Sequence, residues 1–109
     1  MRIIYNNLIP FKGFAGINLF GVLFVRKGVT VNQRMINHEF IHTKQMKELW
    51  YIGFYLWYLI EWIIRLFQYK GKNAYRNICF EREAYDNDFY MYYMISRKPY
   101  TFLKYLKKR

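Results

Sequence analysis

Apolar residues crowd this chain in blocks whose period changes from one segment to the next. Residues 2–5, RIIY, read as a short strand, and residues 10–16, PFKGFAG, read as a loop because Pro10, Gly13 and Gly16 punctuate them. Residues 17–28, INLFGVLFVRKG, mix aromatic and branched apolar side chains without a 3.6-residue period. They predict one strand, bulged at Gly21 and ended by a turn at Lys27-Gly28.

Beyond that point the pattern turns helical. Thr30 or Asn32 can cap a helix that starts near Gln33. A strongly apolar helix is expected over residues 48–69, with a bend or break near Gly53, and KGKN at 70–73 ends it. A third helix is expected over residues 74–95, with Asn73 as its cap. On it Ile78, Tyr85, Phe89 and Tyr92 form an apolar stripe that includes Glu81, while Glu83 points away. Pro99 suits the first turn of a short C-terminal helix. The fold class is mainly α (α+β), with a short β element before the first helix. No repeat or linker divides the 109 residues, which read as one domain.

The middle helix could belong to a core or to a membrane surface. Its uninterrupted apolar run is the 12 residues from Leu49 to Ile60, short of the ~20 needed to span a bilayer. Glu61 and Arg65 follow at a spacing of four, so they can pair on one helix face. A buried helix with an internal ion pair satisfies this pattern. A helix lying along the interface does too, and the Tyr and Trp content suits that version.

Composition sharpens the question of partners. Aromatic residues make up 23% of the chain and the formal net charge is +11, so a neighbouring surface is expected to be anionic. The tail RKPYTFLKYLKKR, residues 97–109, interleaves cations with aromatics, which suits nucleic acid or anionic lipid. No nucleic-acid motif accompanies it, so the cations are better matched to a helix C-terminus and a negative leaflet. Cys79 is the single cysteine, which excludes an internal disulfide and fits a reducing compartment. The first residues lack the pattern of a signal peptide. The chain is therefore expected on the cytoplasmic side, in solution or on the membrane face, and not secreted.

The candidate chemistry is concentrated in MINHEFIHTKQM, Met35 to Met46, which holds both histidines of the chain. His38 and His42 lie one helical turn apart on one face and can present two imidazole nitrogens to one zinc ion. Glu39 is rotated off that line but adjacent, the position a general base for an attacking water requires. Two imidazoles need a third protein ligand. Cys79 is an unusual choice, and Glu48 lies about 9 Å along the same helix from His42. Glu61 returns only if the chain reverses near Gly53; otherwise it lies about 28 Å away by the same rise. Glu81, a carboxylate on a core-facing stripe, needs a partner there, either a metal or one of Arg65, Arg76 and Arg82. It is the preferred third ligand, with Glu83 and Glu61 as the alternatives.

HEFIH followed by EREAY resembles the gluzincin-type zinc metallopeptidases, in which a later helix supplies a Glu ligand. The CAAX-prenyl and HtpX-type membrane proteases and the ImmA/IrrE-type cytosolic proteases are similar, and the whole chain resembles a family of small bacterial proteins. The resemblance implies a minimal zincin-like helical domain that hydrolyses a peptide or protein substrate. It implies zinc held by His38, His42 and Glu81, with Glu39 as the general base, and it likens the strand at 17–26 to an edge strand that pairs with extended substrate. Tyr85 departs from it, standing where the membrane proteases carry Asp; Asp86 or Asp88 is available for that supporting role. Two non-peptidase readings stand beside it. One is a zinc-binding protein without turnover, and the other is a basic, aromatic-rich module for anionic lipid or nucleic acid.

Overall fold

The computed structural model describes residues 2–8, 16–90 and 92–106; the predicted loop at 10–16 falls, except for Gly16, outside them. Three strands open the chain: β1 (Arg2–Asn6), β2 (Gly16–Leu19) and β3 (Val22–Arg26). β3 is central, parallel to β1 and antiparallel to β2. The single bulged strand expected over 17–28 is therefore a hairpin. Phe20 and Gly21 form its two-residue turn, with φ of 53° and 89°, the left-handed pair that matches the twist of the flanking strands. A phenylalanine in that region is strained, which is why the apolar pattern concealed the turn. Tertiary contacts hold it: the Phe20 ring sits 5.8 Å from Tyr51 and 5.2 Å from Tyr55, and its N–H donates to Tyr55 Oη at 2.9 Å.

Leu23 and Val25 alternate inward and are fully buried, the period-two pattern of a one-sided sheet. Asn18 fastens that sheet to the first helix. Its Nδ2 donates to the Glu39 carbonyl and to Thr43 Oγ1, both at 3.0 Å, and its Oδ1 accepts from Gly21 N–H at 2.9 Å. Gly16 lies against the same helix. A Cβ there would come within 2.8 Å of Met35 Cε and 3.3 Å of the Phe24 carbonyl oxygen.

Helix α1 (Gln33–Glu48) begins where expected. Asn32 is extended and its side chain accepts from Met35 N–H at 2.8 Å, a cap that Asn32→Ala should remove at a cost of about 1 kcal/mol in a thermal or urea melt. The break expected near Gly53 is present, just before that residue, and the element expected over 48–69 is shortened at both ends. The chain reverses over residues 49–51, with Trp50 and Tyr51 both at φ 59°, and α2 runs Ile52–Leu66. Two non-glycine residues in that region oppose local preference. Tyr51 N–H donates to the Met46 carbonyl at 2.7 Å, and the Tyr51 ring packs on the core. No described helix is long and apolar enough to cross a membrane.

The helix expected over 74–95 is three pieces, α3 (Lys72–Arg76), α4 (Cys79–Asn87) and α5 (Tyr93–Ser96), followed by a 3₁₀ turn at Thr101–Tyr105. Gly71, not Asn73, stands at the α3 cap. α4 starts after extended Ile78 and is capped from another helix: Glu61 Oε2 accepts from Cys79 N–H at 2.8 Å while Arg65 Nε and Nη2 hold the same oxygen at 3.1 and 3.0 Å. The expected Glu61–Arg65 pair is present, and its place is the inner face of α2. Because α4 stops at Asn87, the predicted stripe is cut short: Ile78 is buried but Phe89 and Tyr92 are exposed. The core is aromatic, with Phe80 stacked on Phe54 at 4.5 Å and edge-on to Phe102 at 5.0 Å. It also encloses Met46, Ile78 and Cys79. The architecture is mainly α with one small sheet, as the sequence led us to expect.

Candidate metal centre

α1 presents His38 and His42 to α4, their rings 4.7 Å apart and nearly perpendicular. The first turn of α4 brings Glu81 between them. Its Oε1 lies 3.0 Å from His38 Nε2 and 3.1 Å from His42 Nε2, and the two Nε2 atoms are themselves 3.1 Å apart. All three side chains are buried.

The hydrogen bonds behind these atoms fix what each one offers. Gln45 Nε2 donates to the Phe80 carbonyl at 3.1 Å and to Glu83 Oε1 at 3.0 Å. Both partners only accept, so the Gln45 amide must turn its oxygen toward His42 Nδ1, 2.8 Å away. His42 Nδ1 therefore carries a proton, and in the neutral ring Nε2 carries a lone pair. Asp88 Oδ2 lies 2.9 Å from His38 Nδ1 and fixes the same tautomer there. Tyr58 Oη donates to the other Glu81 oxygen, Oε2, at 2.7 Å.

Three acceptors thus meet in a triangle about one hydrogen bond on a side, and only a cation can reconcile them. In the metal-free chain a proton can serve. Burial opposes charge on His42, but the adjacent Glu81 carboxylate outweighs it and raises the imidazole pKa to about 10. Burial likewise opposes charge on Glu81, yet His42 and His38 hold its carboxyl well below the usual range. The donor set also suits zinc. Two imidazole nitrogens and one carboxylate oxygen are zinc ligands, and at bonds of ~2.0–2.1 Å they stand about 3.3–3.4 Å apart in a tetrahedron. The observed 3.0–3.1 Å edges need to open by only a few tenths of an ångström. Backing each imidazole with a carboxylate or amide oxygen is the arrangement that orients metal-bound histidines.

Glu39 follows His38 in sequence, and its carboxyl lies within 4.8 Å of the His38 and His42 nitrogens. Burial raises its pKa, against the lowering effect of His42 and His38. It lines an open cleft of about 440 Å³ together with Gly16, Met35, His38, Tyr75 and Tyr85. A carboxylate with raised proton affinity, facing a cleft beside the two imidazoles, can accept a proton from a molecule bound there.

Of the expected site residues, His38, Glu39, His42 and Glu81 come together. The alternatives do not. Glu61 caps α4. Cys79 is buried, a setting that, with Glu61 beside it, raises its thiol pKa. Glu48 receives Arg97 Nη1 and Nη2 at 2.8 and 3.0 Å. Glu83 was expected to point away from the core and is instead fully buried, bound to Tyr93 Oη, Arg97 and Gln45. The arginines proposed as partners for Glu81 are occupied elsewhere. Arg65 holds Glu61, Arg82 reaches Asn77 and the Tyr105 carbonyl, and Arg76 lies 4.3 Å over the Tyr85 ring.

Tyr85 packs edge-on to His38 at 4.6 Å. Asp88, three residues further on, hydrogen-bonds that histidine; Arg34 Nε holds its other oxygen at 2.6 Å. The site residues missed by the sequence were Gln45 and Tyr58. Gln45 carried a signal, three residues after His42 on the same helix face, whereas Tyr58 reaches Glu81 only through the reversal at 49–51. The sequence matches no protein-family model, and no curated protein or solved structure matches it, so the reading of this centre rests on its own geometry.

Proposed function

We propose that this chain is a zinc-dependent metallopeptidase of the gluzincin type, with His38, His42 and Glu81 as ligands and Glu39 as the general base. The observation that carries the reading is the convergence of two Nε2 lone pairs and one carboxylate oxygen from separate helices, each backed by its own hydrogen bond. Zinc, when bound, supplies Lewis acidity for a scissile carbonyl and for water. Glu39 takes the proton from the attacking water and returns it to the leaving amine, and its burial gives it the proton affinity this needs. Asp88 and Gln45 hold the imidazoles in the ligating tautomer. In the sheet order β1-β3-β2 no described strand pairs with the outer edge of β2; Tyr55 Oη donates to the Asn18 carbonyl on it, and Gly16 at its start lines the cleft. An extended peptide would add there as a further strand.

A zinc-binding protein without turnover would share the three ligands. The cleft in front of Glu39 favours turnover, because a purely structural site is closed on all sides. The single buried cysteine fits a place on the cytoplasmic side. The test is metal content together with cleavage of a fluorogenic peptide library. Wild type is expected to hold one zinc per chain and to cleave. Glu39→Gln should keep the metal and lose cleavage by roughly 10²–10⁴-fold. A chain that takes up no zinc from solution would sink the proposal, and equal cleavage by the Gln variant would remove Glu39 from its role.

A further inference from the structure

α2 is built inside out. Its only charged residues, Glu61 and Arg65, are buried. Ile52, Leu56, Leu59, Ile63 and Leu66, with Phe67 just after them, are exposed. At 3.6 residues per turn these six form a stripe about 100° wide along a helix about 22 Å long. Trp50, 87% exposed, stands before its start and Phe67, 89% exposed, at its end; Trp62 flanks it. Exposed lysines bracket it: Lys44 and Lys47 precede the reversal and Lys70 follows the helix.

We infer that this face docks on an anionic lipid bilayer, with α2 lying in the interfacial plane. Three features select that occupant. An exposed apolar face with aromatic ends matches the headgroup–acyl boundary. The lysines at both ends meet anionic headgroups. The net charge of +11 opposes the alternative, a second copy of the chain packed face to face, since like charges would be brought together. The helix is too short to cross, so the contact is peripheral. The inference does not require the metal centre to be catalytic.

Flotation of the full chain with vesicles tests it, comparing phosphatidylcholine alone with phosphatidylcholine containing phosphatidylglycerol. Binding to the anionic vesicles is expected, partly retained at high salt because of apolar insertion. Leu59→Glu combined with Ile63→Glu should weaken it at least about tenfold with an unchanged circular dichroism spectrum. Tryptophan fluorescence of the wild type should shift blue and be quenched by bromine-labelled acyl chains, a readout that needs no variant. Binding that high salt abolishes and the double variant does not alter would overturn the inference. So would unquenched tryptophan, or an apolar face covered by self-association that the same substitutions disperse.

Discussion

Glu81→Ala is expected to lose stoichiometric zinc. The substitution leaves His38 and His42 as the only protein ligands at a position that needs three. Loss of a residue behind the ligands typically costs 10–100-fold in metal affinity, so removal of a ligand should exceed about 100-fold by competition with a chromophoric chelator. The variant should also report on the proton that serves in place of the metal. With the carboxylate gone, the main influence that raises His42 disappears, and zinc no longer has to displace a tightly held proton. A fall in affinity despite that easier deprotonation identifies ligation as the missing term. Unchanged zinc content in Glu81→Ala would show that the triangle of acceptors is not the metal site.

Glu83→Ala is expected to have the largest effect on stability. Glu83 is fully buried and accepts from Arg97 Nε at 2.6 Å, Tyr93 Oη at 2.7 Å and Gln45 Nε2 at 3.0 Å. The Arg97 side chain is itself buried, and Glu48 is its other partner. Removing one member of a buried ionic network leaves charge uncompensated, at a cost of about 3–5 kcal/mol. Because Glu48 remains, the lower end of that range applies, and the melting temperature should fall by roughly 10–20 °C. Zinc affinity should fall too, by about 10-fold or more, since the Gln45 amide loses one of the two acceptors that orient it toward His42. Glu83→Gln keeps an oxygen facing Tyr93 and should recover part of both losses. A melt unchanged in Glu83→Ala would mean that the network contributes nothing net.

How far the sequence could be read follows from how local each feature is. Asn32 announced its cap and His38-x-x-x-His42 its shared face, because both are contained within two turns of one helix. Glu81 could be selected because a carboxylate among apolar neighbours needs a partner. The hairpin turn could not be read, and of the reversal at Trp50–Tyr51 the sequence showed only a bend or break near Gly53. Both place non-glycine residues in the left-handed region, held by aromatic contacts from distant parts of the chain. The role of Glu83 was hidden for the same reason, since a helical wheel drawn on an unbroken 74–95 helix does not know that Arg97 turns back over it. Asp88 was one of two acidic residues offered for the missing Asp. What placed it was the three-residue step along α4 that lets it reach His38 past the Tyr85 ring.

The bonds through His42, Gln45, Glu83, Arg97 and Glu48 close on themselves, since the first and last of these residues share α1. A closed circuit has no free end from which to fray. Amide protons of α1, of α4 and of the turn preceding Arg97 are therefore expected to exchange with solvent in one joint opening event rather than piecemeal. Metal bound at His42 should then slow exchange as far away as Arg97, because a ligand that binds only the closed form protects every segment the opening must release.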